Sequence, residues 1–275
     1  MANKTSAFKV KSWPIHTLFF TIFLFINISV PKPWASATTL TISNKCSHPV
    51  WPGIQPNAGN SVVARGGFLL PPNKTHTLQV PPLWGGRVWA RLGCSFDAAG
   101  KGECITGDCG GVLFCDGLGG TSPATLAEIT IGADQTFYDV SLVDGYNLPI
   151  SITPIKGTGK CGLAGCMRDV NKICPAGLQV RSREGNRVVA CNSACMAFHL
   201  PNYCCTGSYG SPQTCGPTTY SRIFKRVCPR AYSFAYDDPT SLFSCSNANY
   251  LGWQLKSHAV MHIQQTPSDK VHAIH

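Results

Sequence analysis

Charge is scarce in this chain. Of its 275 residues 13 are acidic and 23 are Lys or Arg, so charged side chains make up 13% against 44% apolar. That balance excludes a self-repelling disordered chain and leaves enough apolar material for a packed core. No basic run and no basic patch interleaved with aromatics is present, so no partnership with nucleic acid is expected. A glycine-rich phosphate loop, a Ser-His-Asp constellation and a Cys/His metal cluster are also missing, and the expectation is neither a cofactor nor a metal. Internal repeats and low-complexity stretches are absent.

What is abundant is cysteine, with 15 residues, all after Ala37. A reducing cytosol would not let such a density form stable bridges, so the composition points to export. The N-terminus agrees. Lys4, Lys9 and Lys11 precede a mostly apolar run of 13 residues, Leu18 to Val30, and Ala35-Ser36-Ala37 follows as an A-x-A cleavage site. This order is that of a secretory signal peptide over residues 1–37. A membrane span needs about 20 apolar residues, more than the run supplies. The leader holds four lysines and no acid, so its removal takes the net charge from +10 to +6. A moderate positive charge suits adhesion to anionic walls or membrane surfaces.

From Thr38 the hydrophobic period is two. Leu40 and Ile42 alternate with polar residues, and Asn44 to Pro56 reads as turn chemistry. Thr75 to Val80, Arg87 to Leu92, Leu126 to Ile131 and Phe137 to Leu142 read as strands between Gly, Pro and Asn clusters. Short strands with 27 glycines and 20 prolines indicate a mainly β sandwich or barrel. After about Thr158 cysteines crowd and strands fade. One helix is predicted there: Thr218 or Thr219 caps it, and Tyr220, Ile223, Phe224 and Val227 recur at i, i+3, i+4 and i+7. Arg222, Lys225 and Arg226 would face water, and Cys228-Pro229 ends the helix.

The most specific motif runs from Gly100 through Cys104, Thr106-Gly107-Asp108-Cys109 and Gly111 to Cys115. It resembles, without a gap, the thaumatin-like (osmotin-like) signature G-x-G-x-C-x-T-G-D-C-x-G-x3-C. Further likeness lies in Val88-Trp89-Ala90-Arg91, Thr125 to Glu128, Ser141 to Gly145, Tyr203-Cys204-Cys205 and Ala231 to Phe243, so that it covers Thr38 to Leu251. The resemblance implies a thaumatin-like domain over 38–251. Its parts would be a β-sandwich core, a disulfide-rich loop and helix lobe, and a small disulfide-tied loop domain. It also implies a pathogenesis-related, antifungal plant defence protein, extracellular in the apoplast or cell wall and monomeric.

Cysteine pairing does not follow from spacing. The resemblance implies Cys94–Cys104, Cys109–Cys115, Cys161–Cys245, Cys166–Cys228, Cys174–Cys191, Cys195–Cys204 and Cys205–Cys215. In the family the partner of Cys46 lies in a final strand ending Phe-Cys-Pro. Here Asn249-Tyr250-Leu251 departs into Gly252-Trp253-Gln254-Leu255-Lys256 with no further cysteine, so a free thiol is expected at Cys46 and a disordered, atypical tail over 252–275. A splice variant, a retained intron or a frameshift would each give such an ending. The tail carries His258 and His262 at i, i+4, a metal-capable spacing with no other ligand nearby. Asn73-Lys74-Thr75 is a glycosylation sequon.

On the predicted strands Arg87, Trp89 and Arg91 share one face. Ala127, Ile129 and Ile131, with Tyr138, Val140 and Leu142, take the core face, leaving Glu128 and Asp139 outward. From period alone this is a solvent-side salt bridge worth under ~1 kcal/mol. The resemblance implies more: a cleft between sandwich and lobe lined by Arg87, Glu128, Asp139, Asp144 and Asp237, with Asp238 as an alternative to Asp237. Such a cleft would bind fungal-wall β-1,3-glucan or another cell-wall polysaccharide. It could also hold a glycosidase pair giving weak endo-β-1,3-glucanase activity, Glu128 as acid and Asp139 as base, with Arg87, Asp144 and Asp237 binding substrate. The other reading is a non-enzymatic antifungal protein that perturbs a pathogen membrane or inhibits a pathogen enzyme.

Overall fold

The computed structural model describes residues 38–183 and 187–255, with side chains through Tyr250. The expected leader and the His258/His262 pair lie outside the described residues.

The chain forms strands β1 (Thr38–Asn44), β2 (Trp51–Pro56), β3 (Thr75–Val80), β4 (Gly85–Arg91), β5 (Ser95–Phe96) and β6 (Gly102–Glu103). Then come β7 (Leu126–Ile131), β8 (Thr136–Ser141), β9 (Ile150–Ile155), β10 (Ala164–Cys166), β11 (Gln179–Arg181) and β12 (Val188–Cys191). Helices α1 (Ala194–Phe198), α2 (Pro201–Cys204), α3 (Thr219–Val227) and α4 (Asp238–Ser241) precede β13 (Phe243–Cys245) and β14 (Asn249–Leu255). Two five-stranded sheets result, ordered β10-β9-β14-β1-β3 and β13-β8-β7-β4-β2.

Period two explains the sandwich. Leu40 and Ile42 of β1 and Ile150 and Ile152 of β9 share one core cluster with Val88, Ala90, Ala127, Ile129, Tyr138 and Val140 of the other sheet. A second, smaller cluster lies on the outer side of β4 and β7, where Trp89 and Leu126 pack with Cys109, Cys115 and Ala124. Thus the outer face shared by Arg87, Trp89 and Arg91 is open to water only at Arg87.

The glycine-rich segment closes over the other two. The Trp89 Nε1–H donates to the Gly107 carbonyl at 2.7 Å. Arg91, fully buried, donates to the carbonyls of Trp51, Val112 and Leu113 at 3.1, 2.9 and 2.7 Å. Burial lowers the Arg91 pKa to about 10, opposed by the charge of Asp108, so the guanidinium stays charged at neutral pH. Gly107 has φ +71°, and a Cβ there would press on the Ala90 carbonyl, so the crossing admits only glycine.

Three expectations are corrected. Trp51–Pro56 is a strand, not a turn: β2 is the edge of its sheet, the place where Pro52 and Pro56 can sit without breaking a ladder on both sides. Helix α3 forms as expected, with Thr218 and Ser221 making a capping box and Phe224 buried, but Lys225 does not face open water. Its ammonium donates to the Ala231 carbonyl and Ser241 Oγ at 3.0 and 2.8 Å and pairs with Asp237. Finally, the boundary expected at Leu251 falls inside β14, whose backbone continues to Leu255 beside β1.

Candidate functional site: an acidic row facing the disulfide-rich lobe

Register builds the site. In the second sheet Arg87 of β4 lies directly opposite Glu128 of β7, and Glu128 lies opposite Asp139 of β8. Directly opposed side chains on adjacent strands stand with Cβ atoms about 4.5–5.5 Å apart, so the three groups form one rung across the outer face. Arg87 pairs with Glu128 at 3.5 Å. Asp144 follows β8 in a turn, its carbonyl accepting from the Ala124 N–H at 3.0 Å. These four residues line an open cleft of about 370 Å³ with Leu126, Ser141 and Val143, and Tyr232 and Ala235 form its other wall. That wall is tied to the sheet: the Tyr232 N–H donates to the Val140 carbonyl at 2.8 Å, and the Leu142 N–H to the Tyr232 carbonyl at 2.9 Å.

The electrostatics of the rung are uneven. Both carboxyls are half-buried, which by itself favours the neutral form. For Asp139 burial is the main cause of a pKa raised from 3.8 to about 8, helped by the charges of Glu128 and Asp238 and opposed by Arg87. Its Oδ1 is covered and makes no hydrogen bond among the described residues. Glu128 is also raised, first by burial, but Arg87 pulls it back. Of the two opposed carboxyls, Asp139 therefore holds a proton the more readily. On these electrostatics Asp139 is the better O–H donor of the two, and Glu128, steadied by Arg87, the better carboxylate.

Residues 44–252 match the profile of the Thaumatin family. The chain belongs to that family. It is 65% identical to a thaumatin-like protein of Arabidopsis thaliana over 217 residues, 79% of this chain and 89% of the relative. It is 57% identical to the pathogenesis-related thaumatin-like protein 3.5 of Cryptomeria japonica over 216 residues, 78% and 89% of the two chains. Among solved structures it resembles a laminaripentaose-producing β-1,3-glucanase in complex with laminaritetraose, with TM-score 0.54 and 12% identity, covering 80% of this chain and 98% of the other. At that identity the likeness is one of fold alone.

Within this thaumatin-family fold the structure brings Arg87, Glu128, Asp139 and Asp144 together and leaves Asp237 out. Asp237 is buried and turned into the lobe, where its Oδ2 accepts from the N–H and Oγ of Ser233, both at 2.9 Å, and pairs with Lys225 at 2.9 Å. Asp238, the alternative, is exposed and accepts from the Tyr232 hydroxyl at 3.1 Å, so it reaches the cleft through Tyr232. Tyr232 itself was missed. The one available signal was its place between motif residues in Ala231 to Phe243, which marks a segment and not a side chain.

Seven bridges form, Cys94–Cys104, Cys109–Cys115, Cys161–Cys245, Cys166–Cys228, Cys174–Cys191, Cys195–Cys204 and Cys205–Cys215. The first two tie the glycine-rich loop over Trp89 and Arg91, and the last five hold the lobe that carries Tyr232. Cys46 is buried beside the first sheet's core, its N–H donating to Asn44 Oδ1 at 2.8 Å. Asn73 is exposed in the turn before β3, with φ +56° and the Lys74 N–H returning to the Pro71 carbonyl.

Proposed function

We propose that this is a secreted defence protein whose cleft binds a β-1,3-glucan chain of the fungal wall. The observation that carries the reading is the rung itself: a guanidinium, a carboxylate and a protonated carboxyl side by side in an open cleft. Together they offer donors and acceptors in alternation, the pattern that vicinal sugar hydroxyls require. The charge of +6 outside the leader brings the protein to an anionic wall, while the acidic cleft itself faces a neutral polysaccharide.

The rung also supports slow hydrolysis. Asp139 would protonate the leaving glycosidic oxygen as its bond to the anomeric carbon breaks, while Glu128 bonds to that carbon. Water then cleaves the glycosyl-enzyme with Asp139 taking back a proton. Cβ atoms opposed across one ladder stand ~4.5–5.5 Å apart, which favours the close carboxyl pair of retaining enzymes, ~5–5.5 Å, over the ~6.5–9.5 Å of inverting ones.

Co-sedimentation with insoluble β-1,3-glucan, followed by assay of reducing ends, tests this. Wild-type protein should sediment, Glu128→Gln should lose most binding, and Asp139→Asn, which keeps a neutral donor but has no proton to give, should bind without releasing sugar. Any released sugar should keep its anomeric configuration. Failure of the wild-type protein to bind, with antifungal action intact, would transfer the function to its basic surface.

A further inference from the structure

We infer that the glucan site extends past the acidic rung onto the outer face of the β7–β8 hairpin, with Phe137 as a stacking platform for a further sugar unit. The inference rests on the carbohydrate reading of the cleft. A single exposed apolar residue is unremarkable in itself, so the neighbours of Phe137 must carry the argument.

Phe137 is 45% exposed and lies two residues before Asp139, on the same face of β8. That places it about 7 Å along the strand from the rung, on the side away from Ser141 and Asp144. Its own rung is polar and flat. Opposite it stand Thr130 of β7 on one side and Ser244 of β13 on the other, each bearing a hydroxyl. Thr130 in turn faces Gly85, where the surface drops to backbone, and a Cβ there would strike the side-chain amide of Asn57. A half-exposed aromatic face flanked by two hydroxyls and an amide suits a pyranose ring: its C–H face meets the π-system and its equatorial hydroxyls meet the polar rim. Leu242, 41% exposed and just before β13, stands level with Asp139 and adds an apolar shoulder beside it. A chain bound at Glu128 and Asp139 would thus continue over Phe137.

The prediction is a dependence on chain length. Titration calorimetry with β-1,3-linked glucose oligomers of increasing length should show wild-type affinity rising as the chain reaches Phe137. Phe137→Ala should remove that rise, weakening the longest oligomer about tenfold while leaving the shortest unaffected. Phe137→Tyr should keep it. The ring is largely solvent-facing, so Phe137→Ala should melt as the wild type does, and Phe137→Gln is a second truncation should alanine disturb the strand. If Glu128→Gln loses binding while Phe137→Ala and Phe137→Gln bind the longest oligomer as tightly as wild type, the platform is refuted and the cleft stands. If wild-type protein binds none of the oligomers, both readings fall together.

Discussion

The raised pKa of Asp139 makes a stability prediction that needs no ligand. In the unfolded chain this carboxyl loses its proton near 3.8, and in the fold near 8. Between those values the folded state holds a proton that the unfolded state has released. Stability therefore falls as pH rises through the window, and is greatest below it. At 1.36 kcal/mol per pKa unit the whole shift would correspond to about 5–6 kcal/mol. The carboxyl stands at the wall of an open cleft, where water screens it, so about 2–3 kcal/mol is the expected effect.

Asp139→Asn keeps size and polarity and removes the titration. Near pH 4 the variant and wild type should melt together, since both present a neutral group to the rung. Near pH 8 the variant should be more stable by that 2–3 kcal/mol, a rise of roughly 5–10 °C at this chain length. Thermal melts at several pH values, disulfides intact, measure the difference, and effects common to both proteins cancel. Glu128→Gln removes one of the charges that raise Asp139, so Asp139 should ionise at lower pH in the fold, and the fall in stability should be smaller and end at lower pH. A gap between wild type and Asp139→Asn that stays constant from pH 4 to 8, or that favours wild type at pH 8, would refute the protonated-Asp139 account and with it the acid role proposed for Asp139. A solvent-facing Asp139, as period two alone implies, would give no gap at all.

Three further outcomes are expected. Arg91→Met leaves the carbonyls of Val112 and Leu113 without their buried donor, and denaturant titration should show a loss of about 3–5 kcal/mol; a loss below ~1 kcal/mol would mean that the loop does not depend on this clamp. Asp237→Ala strands Lys225 and the Ser233 N–H, so it should cost about 2–4 kcal/mol of stability while glucan sedimentation is unchanged; lost sedimentation in a stable variant would return Asp237 to the cleft. Thr218→Ala opens the capping box of α3 and should cost about 1 kcal/mol by thermal melt.

Where one sheet face meets one core, the sequence was legible. Thr75–Val80 and Leu126–Ile131 are strands with the expected bounds, and Ala127, Ile129, Tyr138 and Val140 all point into the core. Local alternation suffices there because the neighbour on the buried side is simply another apolar face. What stayed hidden was set by distant chain. Nothing near Arg91 tells that carbonyls some twenty residues later will cover it, and nothing near Lys225 tells that Asp237 will draw it inward. The site divides in the same way. Its residue types were visible in the motifs, but which carboxyl holds a proton the more readily depends on register, on burial by the Tyr232 wall and on which carboxyl Arg87 touches.

The strongest case is the last strand. The family match ends at residue 252, where the sequence departs from the resemblance, yet β14 continues for three more residues along β1, past its last pairing with β9 at Gly252. Backbone pairing explains the persistence, because a ladder is built from N–H and C=O groups that every residue but proline supplies, and none of Gly252 to Leu255 is proline. The departure still leaves a mark. Ile42 pairs with Gly252 but Ser43 with Gln254, so Trp253 is passed over and the register slips by one residue. The skipped residue interrupts the backbone ladder for one position only, and pairing with β1 resumes at Gln254. The chain keeps its place beside β1 through its backbone, which pairs whatever side chains follow Gly252.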